Sequence, residues 1–304
     1  MPKLEIHPLS ELRDEAAELL GERYARQRAA EPLLPAIADF ATHVPDDEGV
    51  VATRGDSAVA YLTGAVDGDT ARVDFAGHAA QEPEALRDLY AALAGRWDLS
   101  RYAVAVPASD DELIDAWFRL GFGCQLMWAV RETAEDESDV DERLREFAGE
   151  IRPGTPNDLG AAAAFDELLY TFQTRAPSFS GRTVPSRAEL VDEWSDTWSE
   201  PDKYAHFVAE QDGRLVGHVL LYKRPEGDLR VPPKNIDLAQ AATLDDVRGA
   251  GVGVALTQHV LGWAREHGYH SMTADWRSVN LLSSRFWPRR GFRPQYLRLY
   301  RAVP

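Results

Sequence analysis

The strongest constraint on the fold is an order of features that runs twice. "EIHPLSELRDEAAELL" (5–20) and "EIRPGTPNDLGAAAAFDELL" (150–169) each read as an isoleucine strand turning into a helix. A hairpin follows in each case, "GVVATRGDSAVAYLTGAV" and "HFVAEQDGRLVGHVLLYK", the second with Asp212-Gly213 as a tight-turn pair. Next come a matching strand core ("RVDFA", "NIDLA"), a helix ("PEALRDLYAALAGRW", "GVALTQHVLGWAREHG") and another strand ("YAVAVPAS", "HSMTADW"). Each series ends in a short helix closed by Gly-Phe, "AWFRLGF" and "FWPRRGF". The Gly-Phe pairs lie 170 residues apart, with Trp117 and Trp287 each four residues before the glycine. One match is chance; six in one order mean that a single α/β unit is built twice.

The acidic stretch "TAEDESDVDERLREFAGE" separates the copies, with few apolar residues before Leu144 and Phe147. It reads as a linker, which divides the chain into domains at 1–132 and 150–304 with an acidic linker at 133–149. The whole chain has a formal net charge of −17. Phosphate backbones are repelled by such a surface, so no nucleic-acid partner is expected, while cationic amines are attracted. The single cysteine, Cys124, excludes an intrachain disulfide and a Cys-based zinc cluster, and the eight histidines lack metal-ligand spacing. No metal is expected. The start "MPKLEIHPLS" lacks a basic-then-apolar leader, and no run has the length of a membrane span. A cytoplasmic setting without membrane contact is therefore expected.

The copies differ at one place. Where the first has "VDFAGHAAQEPEAL", the second has "DLAQAATLDDVRGAGVGVAL", with glycines at 249, 251 and 253 behind Arg248. Leu238–Leu244 reads as a strand, and Val252–His267 as an amphipathic helix with Leu256, Val260, Leu261 and Ala264 on one side. Glycines between them permit positive φ and close approach to bare backbone. The first helical turn leaves N–H groups unpaired at the positive end of the dipole, which suits an anion, phosphate above all. A Walker P-loop is excluded because the glycines run into Val254-Ala255 instead of Lys-Ser/Thr. A dinucleotide fingerprint is disfavoured because the turn lies only about fifty residues from the end of the sequence.

Arg248-Gly249-Ala250-Gly251-Val252-Gly253 matches the Arg/Gln-x-x-Gly-x-Gly/Ala pattern of the GNAT acetyltransferase superfamily. Asn280 then leads "NLLSSRFWPRRGF", which looks like the family's Asn-x-x-Ala-x-x-aromatic-aromatic-x-x-x-Gly-Phe segment. The resemblance covers 150–304 well and the first half in outline. It implies two GNAT-like units, each a mixed, mostly antiparallel twisted sheet flanked by helices, the first a degenerate copy. The implied activity is acetyl-CoA-dependent N-acetylation of a small-molecule or peptide amine by direct attack in a ternary complex. A non-catalytic acyl-CoA sensor or scaffold stays open beside it, as does a monomer (a pseudo-dimer of two units) beside a homodimer.

The same resemblance carries the site. The turn Arg248, Gly249, Ala250, Gly251, Val252 and Gly253 would hold the pyrophosphate of coenzyme A. Backbone groups of Ala242 and Thr243, on a strand splayed from its neighbour, would bind the pantetheine and polarise the thioester. Asn280 would touch the cofactor or cap its own helix. Asp237, eleven residues before Arg248, is the candidate base, with Asp275 in reserve. The family's tyrosine acid is replaced by Trp287, which reads as core packing; either Ser283, Ser284 or Tyr296 substitutes for it, or the thiolate leaves unassisted and takes its proton from water. Residues 168–194 read as a lid or pocket wall, with Tyr170, Phe172 and Phe179 as apolar lining and Glu189, Asp192 and Glu193 as a cation attractor.

Overall fold

The protein is described by a computed structural model covering residues 2–134, 147–180, 183–225 and 227–303. The central part of the expected linker, 135–146, lies outside the described residues. The chain forms two compact units, and neither is a continuous stretch. Unit 1 is Met1–Trp128 with Asp228–Pro232 and Pro294–Pro304; unit 2 is Ala129–Gly227 with Pro233–Arg293.

In chain order the elements of unit 1 are β1 (Leu4–Pro8), α1 (Arg13–Ala30), β2 (Gly49–Arg54), β3 (Ser57–Thr63), β4 (Ala65–Asp67), β5 (Thr70–Val73), β6 (His78–Ala80), α2 (Ala85–Trp97), β7 (Arg101–Pro107), α3 (Asp111–Arg119) and most of β8 (Gly123–Glu132). Unit 2 holds β9 (Glu150–Pro153), α4 (Leu159–Thr174), α5 (Arg187–Ser199), β10 (Tyr204–Gln211), β11 (Arg214–Tyr222), β12 (Asn235–Thr243), α6 (Val252–Glu266), β13 (Ser271–Arg277) and α7 (Leu281–Phe286). The last strand, β14 (Arg293–Ala302), pairs antiparallel with β7 and counts with unit 1. There Leu299 is fully buried in the core between α2, α3 and the strands.

The repeat holds in geometry as well as in order. In each unit a parallel pair is formed across the helix that follows the hairpin: β5 pairs parallel with β7, and β12 with β13. Both hairpins carry a register shift, between Ala52 and Thr53 and between Ala209 and Glu210. The short helices are N-capped by Asp110 and Asn280, whose side chains accept backbone N–H bonds from the first turn. Trp117 lies edge-on to Phe122 with ring centroids 5.0 Å apart, and Trp287 to Phe292 at 5.4 Å. Gly121 and Gly291, at φ +83 and +76, make the turn that sets each phenylalanine against its tryptophan.

The units part company at the central strand. In unit 2 it is one strand, β12, which pairs with β13 over Asn235–Leu238 and with β11 up to Thr243. In unit 1 it is broken into β5, which pairs with β7, and β6, which pairs with β3. The segment Asp228–Pro232 also completes unit 1. Leu229 is buried in the apolar cluster under α1, Tyr24 donates to its carbonyl, and the Arg230 guanidinium lies 3.8 Å from the centroid of Phe75.

Because β14 supplies core to unit 1, Leu299→Ala should cost about 2–5 kcal/mol of that unit's stability. Hydrogen exchange should quicken in β7 and stay unchanged in β10 and β11. Faster exchange confined to β10 and β11 would contradict this assignment of the last strand.

Candidate functional site

Unit 2 has a polar ladder between β12 and β13. Ser271 donates to Asn235, Asn235 to Thr273, and Thr273 to Asp237 at 2.7 Å; Arg224 donates to the other Asp237 oxygen at 2.8 Å. These buried contacts hold the parallel pair together. The pairing then stops at Leu238–Ala274, although β12 continues to Thr243 and β13 to Arg277. The strands thus diverge into a wedge whose wall is the far half of β12.

At the end of β12 the chain turns into α6. Gly249 and Gly251 sit at φ +86 and +81, a left-handed backbone that glycine adopts without strain. Gly251 is the N-cap of α6 and its carbonyl takes the Ala255 N–H, so Val252, Gly253 and Val254 have no acceptor within the helix. The helix is held close to the sheet through Gly217 of β11, where a Cβ would lie 3.1 Å from Val252, Leu256 and the Ala242 carbonyl. Leu256, Val260, Leu261 and Ala264, the apolar side expected from sequence, are all buried.

A cavity of about 320 Å³ occupies this corner. It is lined by Ala242, Thr243, Arg248, Gly249, Gly251, Val252, Gly253 and Asn280, so eight of the nine expected cofactor contacts come together; Ala250 is not on the wall. Arg248 pairs with Asp245 at 2.5 Å and lies 5.5 Å from the Phe172 centroid, and in this state it braces the turn. The Asn280 carbonyl oxygen accepts from Leu282 and Ser283, so it caps α7 while standing on the cavity wall.

The expected acid–base residues are not brought to the cavity. Asp237 points into the ladder, where both oxygens are engaged. Asp275 is exposed and absent from the lining. Position along the strand decides this: Asp237 lies in the stretch where β12 is still paired with β13, and the cavity meets β12 farther along, at Ala241–Thr243. Tyr296 belongs to unit 1, where it is buried and donates to Gln27. Ser284 donates to the Ser278 carbonyl, whereas Ser283 lines the cavity. Of the expected substrate contacts, Phe172 is on the wall, Tyr170 packs against the core under α4 and α5, and Phe179 is 71% exposed. Glu189 is spent in the capping box of α5 with Ser186, and Asp192 and Glu193 are exposed on that helix. Trp287 lines the cavity and packs against Phe286 and Phe292.

Other residues of the wall escaped the sequence. Leu168 and Leu169 of α4, Phe286 of α7 and Arg290 line the cavity, as does His218 of β11. No carboxylate is among the lining residues. His218 is fully buried, its ring stacked on Phe165 at 4.7 Å. Burial, and then the neighbouring His206, hold its pKa well below the usual histidine value. Deeper under α4, Asp166 accepts from Trp194 at 2.9 Å and weakly from Gln240. Burial pushes its carboxyl up to about 6, against the lowering effect of those two bonds. A lone histidine or aspartate in an otherwise apolar stretch carries no signal of this kind, because its neighbours come from distant strands. Among the described residues there is no cluster of metal ligands, and no helix is long and apolar enough to cross a membrane.

Residues 168–292 match the model of the acetyltransferase (GNAT) family. Among solved structures, a GCN5-related N-acetyltransferase from Sphaerobacter thermophilus aligns with 99% of this chain and 96% of its own, at 14% identity and a TM-score of 0.61. A GNAT-family acetyltransferase from Colwellia psychrerythraea aligns with 99% and 100%, at 11% identity and a TM-score of 0.52. A tandem GNAT protein from the clavulanic acid biosynthesis pathway aligns with 99% of both chains at 17% identity and a TM-score of 0.49. No curated protein shows a significant sequence match.

The Asp166 carboxyl holds its proton more tightly in the folded state (about 6) than at its ordinary value of 3.8. Its contribution to stability is therefore full below pH about 4 and is lost as pH rises through about 6. Asp166→Asn keeps an acceptor for Trp194 and removes that loss. Urea unfolding should find variant and wild type alike near pH 4 and the variant more stable at pH 7.5, to be compared at those two values.

Proposed function

We propose, from the match of residues 168–292 to the acetyltransferase (GNAT) family model, that unit 2 binds acetyl-CoA at the start of α6 and passes the acetyl group to an amine. One observation carries the reading: a glycine turn and the first-turn residues Val252, Gly253 and Val254 of α6, whose N–H groups have no acceptor within the helix, line a cavity beside the part of β12 that has left β13. When bound, acetyl-CoA supplies an acyl group activated as a thioester.

The chain's own part follows from charge and backbone geometry. The amides of Val252, Gly253 and Val254, with the positive end of the α6 dipole, suit the pyrophosphate. Arg248 and Arg290, both on the wall, add charge-assisted donors. In the wedge, the backbone of Ala242 and Thr243 has no partner on β13, which leaves it available to hold the pantetheine arm and polarise the thioester carbonyl. Leu168, Leu169 and Phe172 supply an apolar wall from α4, suited to an amine on an apolar stem. Ser283 is the candidate donor to the departing thiolate, as Trp287 carries no suitable acid. Cys124 lies in the part of β8 that belongs to unit 1, so direct attack in a ternary complex is preferred to a covalent cysteine intermediate.

Unit 1 is read as having no such site. Its central strand is broken, and the approach to α2 carries Glu82 and Glu84, paired with Arg54 and Arg87. Carboxylates at a helix N-terminus occupy the place an anion would take and repel it.

Calorimetry should show one acetyl-CoA bound per chain. Gly251→Asp, which sets a carboxylate beside the pyrophosphate, should weaken binding about a hundredfold or more. Unchanged affinity in a variant that keeps the wild-type circular dichroism would refute the phosphate cradle. Coenzyme A release should be seen with at least one of a polyamine, an amino sugar, an arylalkylamine and a peptide N-terminus. Tight binding without release from any of them would make the unit an acyl-CoA sensor instead.

A further inference from the structure

Unit 2 contains a second cavity, of about 600 Å³, lined by Gly154, Trp198, Tyr204, His206, His259 and Trp263 among others. It shares no lining residue with the first cavity, but the two are joined by a pair of buried histidines. His218 is on the wall of the first and His206 on the wall of the second. The Nδ1 of His218 and the Nε2 of His206 lie 3.3 Å apart, so one of them carries the shared proton. The outer nitrogens, Nε2 of His218 and Nδ1 of His206, are buried and without a protein partner among the described residues. His206 Nδ1 is turned to Gly154, where a Cβ would lie 2.0 Å away; the absence of a side chain there leaves the nitrogen its room.

We propose that His218 and His206 form a proton relay that carries the acceptor amine's proton out of the acetyl-CoA cavity into the second cavity. This deepens the acetyl-transfer reading and rests on it. His218 stands opposite Ala242 in the β11–β12 ladder. Residues so paired share a face, with Cβ atoms about 4.5–5.5 Å apart, so the imidazole lies beside the backbone assigned to the thioester. The other titratable groups of the wall are Arg248 and Arg290, and a guanidinium does not accept a proton. His218 is thus the base that the wall offers.

The balance is simple. The amine nitrogen bonds to the acyl carbon, the carbon–sulfur bond breaks with its electron pair going to sulfur, and the nitrogen loses one proton. His218 takes that proton at Nε2 and gives one from Nδ1 to His206 Nε2. His206 gives one from Nδ1 to water in the second cavity. After a tautomer reset, neither ring has kept a charge. That matters because both rings are packed on Trp194, at 5.8 and 4.6 Å, where a stranded imidazolium is costly. The charged groups that act on His206 are Asp158 and Arg152, an ion pair at 2.8 Å which itself joins Glu210. Glu266 and His259 line the second cavity, to which the proton is delivered.

The test combines turnover with a readout that needs none. Imidazole ¹⁵N NMR of the whole protein should show both rings neutral from pH 8 to 5, a proton shared between His218 Nδ1 and His206 Nε2, and a shift of His218 Nε2 when coenzyme A is added. Charged rings, or His218 signals that ignore coenzyme A, overturn the relay. With acetyl-CoA and the amine that releases coenzyme A fastest, His218→Gln should lower kcat about 10²–10⁴-fold. Its affinity for acetyl-CoA should be retained, which also shows that the variant is folded. His206→Gln keeps a hydrogen-bond partner for His218 but passes no proton. It should slow turnover and turn a curved dependence of rate on solvent deuterium fraction into a straight one. Wild-type rates in both variants overturn the relay and leave acetyl transfer standing. Acetyl-CoA binding with no release from any amine overturns both.

Discussion

The second unit depends on the point at which β12 stops pairing with β13. Side chains of Asn235, Asp237, Ser271 and Thr273 tie the two parallel strands together up to Leu238–Ala274, and Arg224 closes the chain of bonds. Beyond that point the backbone of β12 is satisfied on one side alone, by β11. Buried backbone groups need partners, so an open wedge persists where something else occupies it. The helix α6 starts at the mouth of this wedge and is brought against the sheet by Gly217. Strand divergence, helix start and glycine turn are one construction.

The first unit shows what the same packing does without that construction. Its tryptophan, its Gly-Phe turn, its N-capped short helix and its irregular hairpin match those of the second unit. Its central strand is split in two and its corresponding helix start carries glutamates. Packing geometry and site chemistry are thus separable in this fold. The tryptophan at 287 follows the packing rule of Trp117, and its presence says little about proton transfer.

Burial of polar groups under α4 and α5 gives the unit its acid–base character. Asp166, His206 and His218 lie among Phe165, Trp194 and Trp198. All three are pushed towards their neutral forms by desolvation. A cluster of this kind tolerates hydrogen bonds and proton exchange but not a lasting charge.

How much of this was legible beforehand depended on range. The repeat, the glycine turn with Arg248, the buried side of α6 and the cap at Asn280 are local patterns, set by residues within a turn or a strand of one another, and they stand in the structure as in the sequence. Eight of the nine residues expected at the cofactor line one cavity because they cluster around that turn. Asp237 is engaged in the ladder and not on the cavity wall, because how far along β12 the cavity begins depends on where its neighbour diverges, which no spacing reveals. His218 and Arg290 were missed, and the grouping of β14 and Asp228–Pro232 with unit 1 was not visible, for a related reason. Periodicity records which element a residue belongs to; the element it packs against is decided by strand pairing and core closure across more than a hundred residues. The sequence by itself determined two copies of one unit and a glycine turn at a helix start in the second. The tertiary structure alone decided which side chains reach the turn's cavity, because that depends on the wedge between β12 and β13.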